Sequence, residues 1–173
     1  MKTIRFPAEA DNLKSLKAGD EILLSGTVYT ARDQAHKRLA ELIGRGEKLP
    51  FELATAVIYY CGPTGTPKGR VIGSCGPTTS RRMDPFTPLL VSKGLKAMIG
   101  KGSRSEQVRE AVRRGKAVYF VAYAGCGALL SRYVVSKRLC AFADLGPEAV
   151  FRLEVKDLPL IVAIDSRGRT IFG

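Results

Sequence analysis

Basic side chains stand where three predicted strands give way to helices, and together they could bind an anion. Arg32 lies in the first turn of one predicted helix, Arg81 and Arg82 precede the next, and Lys101 precedes a third. A cation at a helix N-terminus costs about 0.3 to 1 kcal/mol unless something negative is also bound. Helix N-termini bind carboxylate or phosphate groups, and ligands of α/β proteins lie beyond the carboxyl ends of the strands. The pattern therefore predicts an anion site at this edge.

The residue types favour a carboxylate as the anion. An arginine guanidinium can donate two parallel hydrogen bonds to a carboxylate, and a lysine ammonium adds a compact charge. Such a set suits a small dicarboxylate. The alternative is that these side chains are solvated surface cations, since the chain has 28 Lys and Arg residues.

The elements around these cations alternate between strand and helix. The segment GDEILLSGTVYT predicts a strand that ends near Tyr29, followed by a helix that begins at a capping box formed by Thr30 and Asp33. The apolar face of that helix would carry Ala35, Leu39, Leu42 and Ile43. Residues 51–63 and 69–79 predict two β-rich runs joined by a loop from Gly62 to Gly69.

The second half of the chain repeats this alternation. Asp84 and Pro85 predict the N-cap and first residue of a second helix. A short strand at 95–100 precedes a third helix, with Ser103 and Glu106 at capping-box spacing and Gly115 as its stop. Residues 117–125 predict a buried strand, 126–142 a helix, and 151–172 two or three antiparallel strands around a DSRG turn. We expect one α/β domain, a mixed sheet with flanking helices.

Composition limits the class of protein. At 173 residues and 45% hydrophobic content the chain can bury one ordinary core. No stretch approaches the roughly 20 apolar residues of a membrane span, so we expect a soluble cytoplasmic protein without a membrane partner.

The net charge of +12 favours anionic partners. A basic nucleic-acid-binding module is the alternative from a different class, but the chain has no Trp and no zinc-finger or RNP pattern, so we expect no nucleic-acid partner.

The four cysteines indicate neither a disulfide framework nor a metal site contained in this chain. Cys61, Cys75, Cys126 and Cys140 form no CxxC pair and no Cys/His cluster. Burial of most of them as ordinary thiols is the expectation. A stand-alone enzyme with Cys75 as nucleophile would have only His36, distant in sequence, as its base.

Four segments resemble, in order, the C-terminal domain of class I iron-sulfur fumarases and the β subunit of L-tartrate dehydratases: SGTVYTARDQAHKRL, GSCGPTTSRRMD, KGSRSEQV and DLGPEAVFRLEV. This resemblance implies a swivelling β/β/α fold over residues 1–173. It also implies the β subunit of a two-subunit hydro-lyase that hydrates fumarate to L-malate, or alternatively dehydrates L-tartrate. The 4Fe-4S cluster, a Lewis acid for the substrate hydroxyl, is expected on a partner α subunit, in a heterotetramer of two α and two β chains.

The resemblance assigns roles to single residues. Thr78, the first threonine of GPTT, corresponds to the proposed catalytic base, and Arg32, Arg82 and Lys101 correspond to substrate ligands. A threonine can act as a base only where cations stabilise its alkoxide. The alternative for Thr78 is a hydroxyl that satisfies a backbone group in a Gly-Pro turn. Further residues expected near the site are His36, Thr79, Asp84 and Gly125, although a lone histidine at this position is more often a surface or capping residue than a catalyst.

Overall fold

A mixed β-sheet that closes into a small barrel organises the computed structural model, which describes residues 1–173. The strands are β1 (Lys2–Phe6), β2 (Glu21–Thr30), β3 (Val57–Tyr59), β4 (Ala97–Gly100), β5 (Val118–Val121), β6 (Val134–Ala141) and β7 (Val150–Ile164). The helices are α1 (Asp33–Gly44), α2 (Thr87–Ser92), α3 (Glu106–Gly115) and α4 (Gly127–Leu130). None of the helices is long and apolar enough to cross a membrane.

The strand order explains why several strands end at one place. The order is β1-β2-β3-β4-β5-β7-β6, and a further pairing of β7 with β2 closes the barrel. Strands β2 to β5 pair in parallel, whereas β7 runs antiparallel to β2 and β5. The carboxyl ends of β2, β3 and β4 therefore meet at one edge, where the sequence predicts the anion site.

Two apolar layers hold the barrel and the helices together. Along β3, Val57 and Tyr59 belong to a cluster formed mainly by strand side chains, whereas Ile58 packs with the cluster that includes Leu39 of α1 and Val108 of α3. Both faces of the central strands are buried, which is why their sequences are apolar at consecutive positions. The predicted α/β domain with a mixed sheet and flanking helices is confirmed.

Two predictions for the second half of the chain are wrong. The predicted helix over 126–142 ends at Leu130, and β6 begins at Val134 because this segment pairs antiparallel with β7. The two or three strands predicted over 151–172 are one strand of 15 residues, interrupted by Asp157 with a φ of 54°. The predicted DSRG turn is present, since Gly168 N donates to Asp165 O at 2.8 Å.

The predicted helix caps also need correction. The N-cap of α1 is Arg32, and the Thr30 hydroxyl instead accepts a hydrogen bond from Phe151 N at 3.0 Å, which ties β2 to β7. The N-cap of α3 is Ser105 rather than Ser103, although α3 ends at Gly115 as predicted. The run 69–79 is loop rather than strand, with a single bridge from Thr79 to Lys101.

Candidate active site

The loop at residues 74–80 crosses the carboxyl ends of β3 and β4. Thr78 N donates to Tyr60 O at 2.7 Å, just beyond β3, and Ser80 N donates to Lys101 O at 3.3 Å, just beyond β4. Thr79 forms the parallel bridge with Lys101. These backbone contacts bring Thr78, Thr79 and Lys101 together, as the sequence predicts.

A buried hydroxyl network fixes Lys101 against this loop. Lys101 N donates to Ser80 Oγ at 2.9 Å, and the Tyr119 hydroxyl lies 2.8 Å from both Ser80 Oγ and Gly102 O. Burial raises the pKa of Tyr119, which keeps the phenol neutral. A Cβ at Gly100 would lie 1.9 Å from Ser80 Oγ, so only glycine fits under this network.

Thr78 keeps its hydroxyl available. The residue is half-buried, and the hydrogen bond that anchors it to β3 comes from its backbone N–H. The hydroxyl is therefore not consumed by the turn that holds it, unlike the Thr30 hydroxyl, which donates to Ala149 O at 3.3 Å. Thr79 is exposed beside it.

The two arginines meet at the N-terminus of α1. Arg82 Nε lies 2.8 Å from Asp33 Oδ2, while Arg32 Nε lies 3.9 Å from Asp33 Oδ1 and 3.8 Å from Glu148 Oε1. The Arg32 stem crosses Gly62, where a Cβ would approach Arg32 Cδ to 3.0 Å. Three cations expected to bind the ligand are thus gathered around the ends of β2, β3 and β4.

His36 is buried beneath Arg32, so the interpretation as a surface or capping residue is wrong. Its Nδ1 lies 2.9 Å from Arg32 O, and its ring faces Tyr60 and Phe86 at centroid distances of 5.3 and 6.1 Å. A carbonyl only accepts, so Nδ1 carries the proton and Nε2 is an acceptor, which has no partner. Burial lowers the pKa of His36 to about 4, and the ring is neutral near pH 7.

Asp84 is not the helix cap predicted, because α2 begins at Thr87. Its carboxylate instead accepts from Arg104 Nε at 2.6 Å and from Ser105 N at 2.7 Å. The Arg104 side chain is fully buried, donates to Thr87 Oγ1 at 2.7 Å, and lies 4.8 to 5.2 Å from two tyrosine ring centroids.

Sequence reasoning missed Arg104 altogether. Its one signal was a further cation three residues after Lys101, in the turn before α3. The ion pair with Asp84 joins the segment that follows the loop at residues 74–80 to that turn. Arg104 is therefore buried and stabilises the segments around the site rather than contacting a ligand.

Gly125 lies beside the site loop without touching Thr78. It is exposed at the tip of the β5–α4 connection, with a φ of 77° that favours glycine. Two residues on, Gly127 O accepts from Cys75 N at 3.2 Å, and a Cβ on Gly127 would meet Ser74 Oγ at 2.3 Å. The connection thus packs closely on residues 74–76.

The cysteines do not support a nucleophile or a cluster in this chain. Cys75 and Cys61 are buried among the strand side chains, while Tyr60, the neighbour of His36, belongs to the helix-side layer. A hydrogen bond between the two thiols raises the pKa of Cys61 and lowers that of Cys75. No group of three or more His, Cys, Asp or Glu side chains could hold a metal ion. The residues present therefore do not fit an iron-sulfur cluster, which needs three or four close thiolates.

The candidate site is a surface edge rather than a closed cavity. The Arg82 side chain is 54% exposed. A cavity of about 750 Å³ lies elsewhere, between α2 and α3, where Pro88, Gln107 and Arg114 are among its lining residues. A ligand held by Thr78, Lys101 and the two arginines would therefore remain open on one side.

Known proteins resemble this chain over nearly its whole length. The family model described as Fumarase C-terminus matches residues 2–173. Fumarate hydratase 2 of Leishmania major is 38% identical over 163 residues, which are 93% of this chain and 29% of that protein. The putative L(+)-tartrate dehydratase subunit beta of Methanocaldococcus jannaschii is 40% identical over 167 residues, 93% of this chain and 86% of that protein.

The L(+)-tartrate dehydratase subunit beta of Escherichia coli K12 is 34% identical over 177 residues, 99% of this chain and 87% of that protein. This chain thus spans less than a third of the fumarate hydratases that it matches and most of these β subunits. With the match over residues 2–173 and the site segments at one sheet edge, the chain belongs to the family of fumarase C-terminal domains and tartrate dehydratase β subunits.

Proposed function

We propose that this chain is the β subunit of a two-subunit hydro-lyase that adds water to, or removes it from, a small dicarboxylate. Fumarate to L-malate is the favoured reaction, and dehydration of L-tartrate is the alternative, supported by the β-subunit relatives. The observation that carries the proposal is the meeting of Thr78, Lys101, Arg32 and Arg82 at the shared carboxyl edge of β2, β3 and β4.

The cations would bind the carboxylates of the substrate. Arg32 and Arg82 can each offer a planar fork, and Lys101 adds a point charge beside Thr78. A hydrogen bond to a charged group contributes about 1.5 to 3 kcal/mol. Two arginines on a shared aspartate would hold one carboxylate, which fixes the position of the carbon next to it.

Thr78 would remove the proton from that carbon. Its hydroxyl is free of the turn, and Lys101 is held beside it by the backbone bridge to Thr79. Removal of the proton develops negative charge on the substrate carboxylate, where the arginines stabilise it. The same positive field favours the deprotonated form of Thr78 Oγ1. The same cations would therefore contribute both to substrate binding and to the rate of proton removal.

The 4Fe-4S cluster belongs, in this proposal, to an α subunit rather than to this chain. Relatives named as tartrate dehydratase β subunits support such a partner, and we propose two α and two β chains, assembled in the cytoplasm. The open side of the site is where the α subunit would complete it.

Reconstitution tests the subunit assignment. The purified chain alone should be colourless and inactive, and with its α subunit it should form a brown, oxygen-sensitive hydratase. Full activity from the isolated chain would refute the two-subunit proposal. The ratio of kcat/KM for fumarate and for L-tartrate then identifies the substrate.

Substitution of Thr78 tests the proposed base. We expect Thr78→Ala to lower kcat of the complex by about 10² to 10⁴, the usual contribution of general-base catalysis. Thr66→Ala is the matched control, because that hydroxyl accepts only from Lys137 Nζ at 3.1 Å on the surface. A kcat within about tenfold of wild type for Thr78→Ala would rule out the role.

A further inference from the structure

Four buried polar atoms without hydrogen-bond partners lie together under the candidate site. They are Arg32 Nε, Asp33 Oδ1, His36 Nε2 and Glu148 Oε1. Buried polar atoms are nearly always hydrogen-bonded in folded proteins, so a cluster of exceptions requires an explanation. Arg32 and His36 are among the residues expected at the site from the sequence, whereas Asp33 and Glu148 are not.

Three of these atoms form a carboxylate–guanidinium–carboxylate arrangement. Arg32 Nε lies 3.9 Å from Asp33 Oδ1 and 3.8 Å from Glu148 Oε1, within ion-pair range but too far for a hydrogen bond. The side chains of Arg32, Asp33 and Glu148 are only 27% to 29% exposed. A shift of less than about 1 Å would convert either contact into a charge-assisted hydrogen bond.

Asp33 also reaches the second arginine with its other oxygen. Arg82 Nε lies 2.8 Å from Asp33 Oδ2. A contact through Nε leaves the two terminal Nη groups of Arg82 free to meet a carboxylate in fork geometry. One aspartate therefore contacts both arginines, and Glu148 flanks Arg32 from the segment before β7.

We propose that Asp33 and Glu148 are positioning residues for Arg32 and Arg82, holding each guanidinium at its Nε side so that the Nη groups face the substrate. The proposal rests on the proposed dicarboxylate site. The shared carboxylate also lowers the repulsion between two neighbouring cations, which allows both to point at one ligand.

A purely electrostatic role and a positioning role of Asp33 predict opposite effects of an isosteric substitution on KM. Asp33→Asn removes a negative charge beside an anion site, so a purely electrostatic role predicts a lower KM for a dicarboxylate. A positioning role predicts the reverse, because arginines that are no longer held lose their alignment with the substrate. Misplacement of binding groups by about 1 Å can cost about 100-fold.

The first measurement is steady-state kinetics of the reconstituted αβ complex with fumarate. We expect Asp33→Asn and Glu148→Gln each to raise KM about tenfold or more, with a smaller fall in kcat. The control is Asp144→Asn, which removes an exposed carboxylate paired with Arg38 on the outer side of α1. An unchanged or lowered KM for both site variants, with a normal control, would overturn the proposal.

The second measurement does not depend on catalysis. In a ¹⁵N-labelled sample of this chain, Asp33→Asn should shift the Nε signals of both Arg82 and Arg32, because Asp33 is in ion-pair contact with both guanidinium groups. Glu148→Gln should move only the Arg32 signal. Arginine signals that are unchanged in both variants would refute positioning even where the complex is active. Variant-sensitive signals in a complex that neither hydrates fumarate nor dehydrates L-tartrate would support positioning and refute the proposed reaction.

Discussion

Replacement of Arg104 is the most direct test of how the fold supports the site. Arg104→Met keeps much of the side-chain volume but removes the guanidinium that bonds Asp84, Thr87 and Tyr60. Asp84 would keep its hydrogen bond from Ser105 N but lose its only ion-pair partner. This loss is costly because the Asp84 side chain is only 12% exposed, so water can hardly replace the guanidinium. The free energy of unfolding should therefore fall.

The size of the fall follows from the burial of the pair. Removal of one partner from a buried, hydrogen-bonded ion pair costs about 3 to 5 kcal/mol, because the remaining charge is uncompensated. For a chain of this size each kcal/mol lowers Tm by about 2 to 4 °C. Arg104→Met should thus lower Tm by roughly 6 to 20 °C. The double variant Arg104→Met, Asp84→Leu should recover most of the loss, since no unpaired charge remains.

Circular dichroism during thermal and urea unfolding of the isolated chain measures this. Arg38→Met is the control, because Arg38 pairs with Asp144 at the exposed surface and its loss should hardly change Tm. A Tm for Arg104→Met within about 2 °C of wild type would refute the reasoning, as would a double variant that is no more stable than the single one.

Two further predictions concern the layers on either side of the sheet. Burial lowers the pKa of His36 in the folded chain from 6.5 to about 4. As pH falls, the unfolded chain therefore binds the proton first, and the free energy of unfolding decreases. This contribution, about 3 kcal/mol, is fully present above pH 6.5 and is lost as pH falls towards 4. The NMR signals of His36, the one histidine of the chain, should titrate below about pH 5. In urea unfolding, the midpoint of the wild type should fall between about pH 6.5 and 5, and His36→Gln should reduce this fall. A titration of His36 near pH 6.5 would contradict the prediction. Gly26→Ala should cost at least about 2 kcal/mol, because Gly26 has a φ of 118° and a Cβ there would lie 1.9 Å from Phe6 O. Gly44→Ala, with open space around its Cβ, should stay within about 1 kcal/mol of wild type in urea unfolding, and equal effects of the two glycine variants would refute the steric argument.

The central sheet could be predicted from sequence because its strands are buried on both faces. Runs such as the one containing Val57 to Tyr60 are apolar at every position, since alternate side chains enter different layers. Strand β1 has a weaker signal, because only Ile4 and Phe6 of its five residues are buried. The segment of β6 is a strand rather than the predicted helix because it pairs with β7, the next strand along the chain, and this pairing overrides local propensity.

The candidate site, like the fold, could be predicted only in part from the sequence. Strand ends followed by helix starts are local features, so the amino-acid sequence alone is enough to group Arg32, Arg82 and Lys101. Glu148 and Arg104 do not stand out in this way, because each contacts a residue distant in sequence, Arg32 and Asp84 respectively. His36 shows a further limit, since its burial depends on Tyr60 and Phe86, which come from other elements.

The charges at the site also bear on the need for a partner. Arg32, Arg82 and Lys101 supply three positive charges, and Asp33 and Glu148, both in ion-pair contact with Arg32, offset two of them. The proposed dicarboxylate brings two negative charges, so these five residues alone leave one of them without compensation. An anion at a partly dehydrated site needs that compensation to bind well. A second surface that carries positive charge to the open side would supply it, which is the arrangement expected if the α subunit completes the site.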